Sequence, residues 1–174
     1  MSRHEKKTKK FSTRGYFGIG ILEPTNEVNV GGLWRSAMLM GASFVFTIAK
    51  EYRYMRSDTQ KTYRHLPLFH FQGFDRFLCS MPYDSKLIAV EQHSDSIELT
   101  RYVHPERTVY LLGTEETGLP REVIEHAYQV LEIPTLYELS LNVHVAGSIV
   151  MYDRFNKAGL RPLRPHPSEP PKLA

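Results

Sequence analysis

Short apolar runs alternate along the chain with stretches that mix apolar and polar residues at helical spacing. The run 17–22 (FGIGIL) predicts a buried strand, residues 29–40 predict a helix, and residues 43–48 return to a strand-like composition. Two strands separated by a helix within about thirty residues are typical of a βαβ unit, whose strands are parallel. We therefore expect a parallel sheet at the start of the chain.

The alternation continues to residue 156. It predicts further strands at 68–71, 86–91, 108–112 and 128–133, and further helices at 74–80, 96–102, 120–127 and 142–156. Regular alternation of this kind indicates an α/β domain with helices on both faces of a mostly parallel sheet. Binding sites in such open sheets lie at the carboxyl ends of strands, so the loops that follow strands are the first places to search for function.

Composition narrows the class of protein. The 174 residues suit one compact domain, and the single cysteine, Cys79, excludes an internal disulfide and a cysteine-based metal cage. No apolar run approaches the roughly 20 residues of a membrane span, and the lysine-rich start lacks the apolar segment of a signal peptide. The eight histidines are scattered, without metal-ligand spacing. We expect a soluble cytoplasmic protein that binds no metal.

The net charge of +3 is unevenly distributed, with +5 on residues 1–14, +4 on residues 154–174 and −6 between them. We divide the chain into a basic arm (1–14), a globular domain (15–157) and a proline-rich basic tail (158–174). Basic arms neutralise nucleic-acid phosphates and release counterions, although solvated tails have the same composition. The arm offers six candidate phosphate-binding residues: Arg3, Lys6, Lys7, Lys9, Lys10 and Arg14.

A second basic stretch, residues 50–64, interleaves cations with aromatic rings. Tyr52, Tyr54 and Tyr63 lie among lysines and arginines that include Arg53 and Arg56. Aromatic rings in such a setting can stack on unpaired bases while the cations hold phosphates. An exposed loop with snorkelling side chains would show the same pattern.

The loop after the first predicted strand combines glycine with hydrogen-bonding side chains. Asn29 is placed to cap the first helix, and Arg35 lies beyond the cap. Gly31 and Gly32 indicate a close approach of backbone, because glycine costs about 1 kcal/mol relative to alanine inside a helix. A capped helix with a surface arginine is the alternative, and the G-x-G-x-x-G spacing of dinucleotide-binding proteins is absent.

The loop after the strand at 108–112 has the sequence GTEETGLP. Gly113 permits a sharp exit from the strand, and Gly118 permits an unusual backbone angle before the helix that Pro120 begins. Such a loop can offer backbone amides and carbonyls to a polar ligand. A tight βα connection without a ligand would use the same residues.

The third loop, residues 133–148, places hydrogen-bonding side chains at the start of the last helix. Ser140 and Asn142 bracket an apolar residue there. The alternative interpretation is that Ser140 is a simple N-cap of the last helix. A small-residue patch that permits another backbone to pack closely follows, formed by Ala146, Gly147 and Ser148.

Together and in this order, the three loops resemble the SpoU/TrmH branch of the SPOUT methyltransferases. An Asn followed six residues later by Arg corresponds to the first motif of that family, here Asn29 and Arg35. The second motif, L-x-G-x-E-x-x-G, is matched by Leu111, Gly113, Glu115 and Gly118. The third, I-P followed by S-[LM]-N-V-x-V-A, is matched by Ile133, Pro134 and residues 140–146. The resemblance covers residues 16–156.

The resemblance implies an enzyme that methylates the ribose 2′-hydroxyl of RNA with S-adenosylmethionine. It also implies a C-terminal trefoil knot and a homodimer. Two features depart from the family pattern: His144 stands where a small residue is usual, and the stretch between Ile133 and Ser140 is a residue shorter than in many relatives, with Tyr137 near a frequent Gly. His144 is either a local base or a buried packing residue.

Residue roles follow from the same resemblance. Arg35 is expected to contact the phosphate or 2′-oxygen of the target nucleotide, and stabilising a developing alkoxide suits it better than acting as a base, because a guanidinium keeps its proton. Its expected orienting and anchoring partners are Asn29, Glu115, Ser140 and Asn142. The cofactor is expected to contact Leu112, Gly113, Gly118, Ile133 and Leu141.

Among RNA substrates we favour tRNA over ribosomal RNA, since the tails are short and no separate RNA-binding domain precedes the three loops. Two other classes stay open at this point. A non-catalytic RNA-binding protein could retain the fold, although loss of Arg35 or Asn142 would be expected in it. A nucleotide-dependent oxidoreductase of the doubly wound type would require the glycine fingerprint that is absent here.

Overall fold

The computed structural model describes residues 16–52, 61–114, 116–137 and 139–158. Seven strands and four α-helices occur in these ranges, in the order β1 (Tyr16–Leu22), α1 (Glu27–Met40), β2 (Phe44–Ile48), β3 (Leu68–Phe71), α2 (Phe74–Cys79), β4 (Lys86–Val90), β5 (Ile97–Glu98), β6 (Arg107–Leu112), α3 (Arg121–His126), β7 (Gln129–Glu132) and α4 (Val143–Lys157). Two short 3₁₀ turns cover Thr62–Arg64 and Leu99–Arg101.

The strands form one sheet in the order β3-β2-β1-β6-β4-β7-β5, and every neighbouring pair is parallel. The chain first builds outward from β1 to β3 and crosses to the other side of β1 with β4 and β5. It then inserts β6 between β1 and β4, and β7 between β4 and β5. The expected α/β class with a mostly parallel sheet is therefore confirmed. The trefoil knot stays a prediction.

Apolar side chains cover both faces of the sheet. Helices α1 and α4 lie over one face, where Leu33 and Val150 join a cluster with Ile19 and Tyr110. The shorter helices α2 and α3 cover the other face, where Phe46 stacks on Phe77 with ring centroids 4.6 Å apart. Burial on both faces explains why the central strands read as continuous apolar runs rather than as alternating patterns.

Most predicted elements agree with the structure to within two residues, and one does not. Residues 96–102 were expected to form a helix, but Ile97 and Glu98 form the edge strand β5, which pairs with β7, and a 3₁₀ turn follows. The prediction was wrong because the segment is too short for its apolar spacing to separate helix from strand. Backbone pairing with β7 then decides its conformation.

A buried polar network fixes the end of α4 beneath the sheet. The Arg154 guanidinium donates to the backbone carbonyls of Pro105 and Glu106 at 2.7 and 2.8 Å, and to the Tyr110 hydroxyl at 3.2 Å. It also lies 5.0 Å from the centre of the Phe17 ring. Since these partners surround the start of β6, the network leaves the carboxyl ends of the strands, at the opposite edge, available for a site.

None of the helices in the described ranges combines the length and apolar character that crossing a membrane requires.

Candidate active site

Helix α1 begins at Glu27, two residues before the predicted start, and its cap lies three residues before the predicted cap. Asn26, in an extended conformation, is the N-cap, and its side-chain oxygen accepts a hydrogen bond from the Val28 amide at 2.9 Å. The prediction that Asn29 caps this helix is therefore wrong. Asn26 and Asn29 have the same capping chemistry, and the structure uses the first as the cap and buries the second inside the helix.

The buried Asn29 side chain joins the first loop to the third. Its Oδ1 accepts a hydrogen bond from Asn142 Nδ2 at 3.0 Å. His144 Nδ1 lies 3.1 Å from the same oxygen, and because an amide oxygen only accepts, the ring nitrogen is the donor. Asn142 also caps α4 by accepting from the His144 amide at 3.1 Å. Three side chains from two distant segments are thus locked in one arrangement.

Helix α4 packs closely against α1 through the small residues that the sequence singled out. A Cβ added at Gly147 would lie 2.3 Å from a Leu33 methyl carbon, and a Cβ added at Gly32 would lie 2.8 Å from the His144 ring. Ser148 Oγ lies 2.8 Å from Ser36 Oγ across the same contact. The expected close backbone approach is therefore confirmed at Gly32. The half-buried His144 ring occupies the space that a side chain at position 32 would need. This contact favours the packing role for His144.

Arg35 lies on the exposed side of α1. Its guanidinium is accessible to a ligand from solvent, as a phosphate-binding role requires. Ser140 is also exposed and is not the cap of α4, because Asn142 has that position.

The loop after β6 folds back on itself at two glycines. Gly118 has a φ of +61°, and its amide donates to the Thr114 carbonyl at 3.0 Å. A Cβ at Gly113 would lie only 2.2 Å from the Gly118 carbonyl carbon. The unusual backbone angle expected at Gly118 is therefore confirmed. The close contact also requires a residue without a side chain at position 113, so Gly113 is needed there. Glu115, the acidic residue of this motif, lies outside the described residues.

A cavity opens over the carboxyl ends of β4, β6 and β7. Five of the predicted site residues line it: Leu112, Gly113, Ile133, Ser140 and Leu141. Gly118 supports the cavity wall through its contact with Gly113. The second and third loops therefore meet at one cavity, and the Asn29–Asn142 hydrogen bond brings the first loop to its edge.

Sequence reasoning missed one side of this cavity. Glu91 and Gln92, which follow β4, line it together with Val90, Thr114 and Thr135. The available signal was their position, since polar residues directly after a buried strand lie at the carboxyl edge of a parallel sheet. The order of the strands, which places β4 next to β6, could not be derived from the residues alone.

The described part of the second basic stretch supplies an aromatic surface beside α1. Trp34, Tyr52, Tyr63 and Leu68 surround a second cavity, and the Tyr52 ring meets Trp34 edge to face at 6.2 Å. The Arg64 guanidinium lies 5.7 Å from the Tyr63 ring centre. Arg53 and Arg56 lie outside the described residues, as do all six basic residues of the N-terminal arm.

Among the residues that the structure describes, no three His, Cys, Asp or Glu side chains are grouped so that they could hold a metal ion.

Comparison with known proteins gives one family match that spans most of the chain. The model of the SpoU rRNA Methylase family matches residues 17–152. A curated relative is the mouse tRNA (guanosine(18)-2′-O)-methyltransferase TARBP1, 38% identical over 68 residues. That stretch is 38% of this chain and only 4% of the mouse protein.

Solved structures share the fold at low sequence identity. A TrmH/SpoU tRNA modifying enzyme from A. aeolicus has a TM-score of 0.75 at 19% identity, over 89% of this chain and 84% of that chain. A structure from a study of 2-OH methylation of C/U34 on tRNA has a TM-score of 0.71 at 22% identity, over 84% of this chain and 98% of that chain. AviRb from Streptomyces viridochromogenes, in complex with AdoMet, has a TM-score of 0.67 at 19% identity, over 83% of this chain and 58% of that chain.

Proposed function

This chain belongs to the SpoU rRNA methylase family, and we propose that it transfers the methyl group of S-adenosylmethionine to a ribose 2′-hydroxyl of RNA. The observation that carries the proposal is the hydrogen bond from Asn142 to Asn29. It joins the first and third motifs beside a cavity that the second and third motifs line together with the end of β4. All three motifs are therefore grouped around one cavity.

The lining of the cavity suits the proposed methyl donor. Leu112, Ile133 and Leu141 provide apolar walls suited to a purine ring, while Thr135 and Ser140 add hydroxyl groups. When bound, the donor supplies a methyl group already activated on a sulfonium, so alignment and charge stabilisation are left to the protein.

Arg35 is the residue that we assign to the RNA. Its guanidinium is planar, permanently charged and exposed, and it matches a phosphate with two parallel hydrogen bonds. Beside the reacting nucleotide it stabilises negative charge that develops on the 2′-oxygen. Asn29, Asn142 and His144 hold the two helix starts in register, which fixes Arg35 relative to the cavity.

The favoured substrate is tRNA. Relatives named as tRNA enzymes support this choice: the mouse protein and the A. aeolicus enzyme both act on tRNA by their names. Within the chain, the basic arm and the aromatic surface of Tyr52 and Tyr63 provide the cations and rings that an RNA with unpaired bases requires. Phosphate contacts are assigned to the six arm residues and to Arg53 and Arg56.

We further propose a homodimer through the outer face of α4, where Val145, Ile149 and Tyr152 form an exposed apolar stripe. Apolar surface of this kind is typical of a protein interface. Sedimentation equilibrium should give a dimer for the wild type and a monomer for Ile149→Glu, with Tyr83→Glu at a distant exposed site as the control.

The decisive test of activity uses the purified chain, S-adenosylmethionine labelled on the methyl group, and total RNA from cells that lack the gene. Labelled 2′-O-methylnucleosides in the tRNA fraction are expected. Label in ribosomal RNA would favour the second substrate, and label on bases or no label would contradict the proposed reaction. Mapping 2′-O-methyl sites in RNA from cells with and without the gene then identifies the nucleotide.

A further inference from the structure

Glu91 is held at the edge of the candidate cavity by the sheet itself. It follows β4 directly, and its amide donates to the Leu131 carbonyl at 3.0 Å, which extends the pairing of β4 with β7 by one residue. Its half-buried side chain lines the cavity. The carboxylate therefore projects from a rigid element rather than from a loose loop.

Both carboxylate oxygens accept hydrogen bonds from backbone amides. Oε2 accepts from Leu119 at 2.8 Å, and Oε1 accepts from Gln92 at 3.0 Å. None of the ion pairs between described residues involves Glu91. Hydrogen bonds to an ionised acceptor are stronger than neutral ones, so the bond to Leu119 is a firm connection between the end of β4 and the loop after β6.

The contact continues from Glu91 to the cavity wall. Gly118, in its left-handed conformation, lies so close that a Cβ there would be 2.7 Å from Glu91 Oε2. Gly113 in turn packs on Gly118, because a Cβ added at Gly113 would lie 2.2 Å from the Gly118 carbonyl carbon. Gly113 is a wall residue of the cavity. The position of the carboxylate therefore determines where that wall stands.

We propose that Glu91 is a positioning residue for the methyl donor: its carboxylate fastens Gly118 and Leu119 to the end of β4 and so sets the width of the cavity. This inference rests on the proposed function of the cavity. Because Glu91 acts through the loop, its loss weakens the binding of the methyl donor and of the demethylated product equally.

The experiment compares Glu91→Gln and Glu91→Ala with wild type by calorimetric titration of S-adenosylmethionine and S-adenosylhomocysteine. In Glu91→Gln an NH2 group replaces one carboxylate oxygen and cannot accept from the backbone amide that bonds to that oxygen. Gln should therefore weaken the binding of both ligands about tenfold, and Ala about a hundredfold. In methyl transfer assays, the KM for the donor should rise by the same factors, with kcat at saturating donor within about twofold of wild type. Glu122→Gln removes one exposed carboxylate on α3 and is the matched control, expected to bind like wild type.

Three results would overturn the proposal. Unchanged binding in both Glu91 variants would mean that the carboxylate does not hold the wall. A loss confined to S-adenosylmethionine would mean that the charge acts on the ligand directly. Rapid hydrogen exchange at the Leu119 amide in unliganded wild-type protein would mean that the hydrogen bond is not maintained. If the wild type binds neither ligand, the proposed function fails. Hydrogen exchange still tests the contact between Glu91 and Leu119 in that case, because the Leu119 amide should exchange slowly in wild type and fast in Glu91→Gln.

Discussion

Asn142 Nδ2 donates a 3.0 Å hydrogen bond to Asn29 Oδ1 and thereby connects two residues that lie 113 positions apart in the chain. Asn29 is buried, and its Oδ1 also accepts a hydrogen bond from the His144 ring. A bond of such long sequence separation forms only when α1 and α4 have packed, so it reports the assembled site rather than local structure.

Replacing Asn29 should separate the two motifs. Asn29→Ala leaves two donors without their acceptor and should lower the free energy of unfolding by about 1–3 kcal/mol. Methyl transfer should fall about a hundredfold, because misplacement by 1 Å has effects of that size. Urea unfolding and initial rates measure both. Asn26→Ala, which removes only the helix cap at a cost of about 1 kcal/mol, is the control. Equal losses of activity in the two variants would contradict a specific role for Asn29.

Gly32 and His144 should show strong coupling. In Gly32→Ala the added Cβ would lie 2.8 Å from the His144 ring, so the ring must move and its bond to Asn29 is strained. We expect a loss of about 1–3 kcal/mol in stability despite the better helix propensity of alanine. Adding His144→Ala should recover part of that loss, with a coupling energy of about 1 kcal/mol or more in a double-mutant cycle.

Gly31→Ala provides the matched control for that cycle. The nearest atom to its added Cβ is the Tyr52 hydroxyl at 3.5 Å, an ordinary contact. This variant should be as stable as wild type or up to about 1 kcal/mol more stable. Similar destabilisation of both glycine variants would show that general helix effects, rather than the His144 ring, determine the result.

These two glycines illustrate what the sequence can and cannot specify. Their poor helix propensity predicts a close backbone contact, and the contact exists at Gly32. The identity of the partner could not be predicted, because His144 reaches Gly32 only through the packing of α4 on α1. Asn29 failed as a predicted cap for a related reason, since local chemistry does not distinguish it from Asn26 and only tertiary contact with Asn142 does.

Glu91 marks the other limit. The strands and their following loops could be located from apolar patterning, and the second and third motifs were sufficient to find five of the cavity's lining residues. The order of strands in the sheet depends on long-range pairing, and without it nothing places the end of β4 beside the loop after β6. The remaining wall residues therefore required the structure.

Arg35 should be needed for transfer and not for folding. Because its side chain is exposed, Arg35→Ala should leave the urea midpoint unchanged and the affinity for S-adenosylmethionine nearly intact, while methyl transfer to RNA is abolished. Arg35→Lys should recover little activity, since an ammonium does not reproduce the planar two-bond contact to a phosphate. Equal loss of cofactor binding and transfer would mean that Arg35 has a structural role.

The N-terminal arm should contribute to RNA affinity through charge. Deleting residues 1–14 removes six basic side chains, and each lost phosphate contact should reduce the slope of log K against log salt concentration by about 0.7–0.9. Filter binding from 50 to 300 mM salt measures the slope. A chain in which a neutral Gly-Ser segment of equal length replaces the arm should behave like the deletion. An unchanged slope would show that the arm does not contact phosphates.

Stability should fall in mild acid because of His104. Its Nε2 donates to Asp153 at 2.8 Å and its Nδ1 accepts from the Tyr110 hydroxyl at 2.6 Å, so the neutral ring satisfies both partners. Burial lowers the pKa of His104 below its usual 6.5, assisted by Arg154 and Lys157, and outweighs the raising effect of Asp153.

A lowered pKa in the folded protein means that the unfolded chain binds more protons as pH drops through about 6.5. The free energy of unfolding should therefore decrease as pH falls below that value. Urea unfolding between pH 8 and pH 5 measures the decrease, which His104→Gln should reduce and His93→Gln, at an exposed site, should not. A wild-type profile that is flat or rises toward acid would contradict the assignment, because a histidine stabilised mainly by Asp153 in its charged form gives the opposite slope.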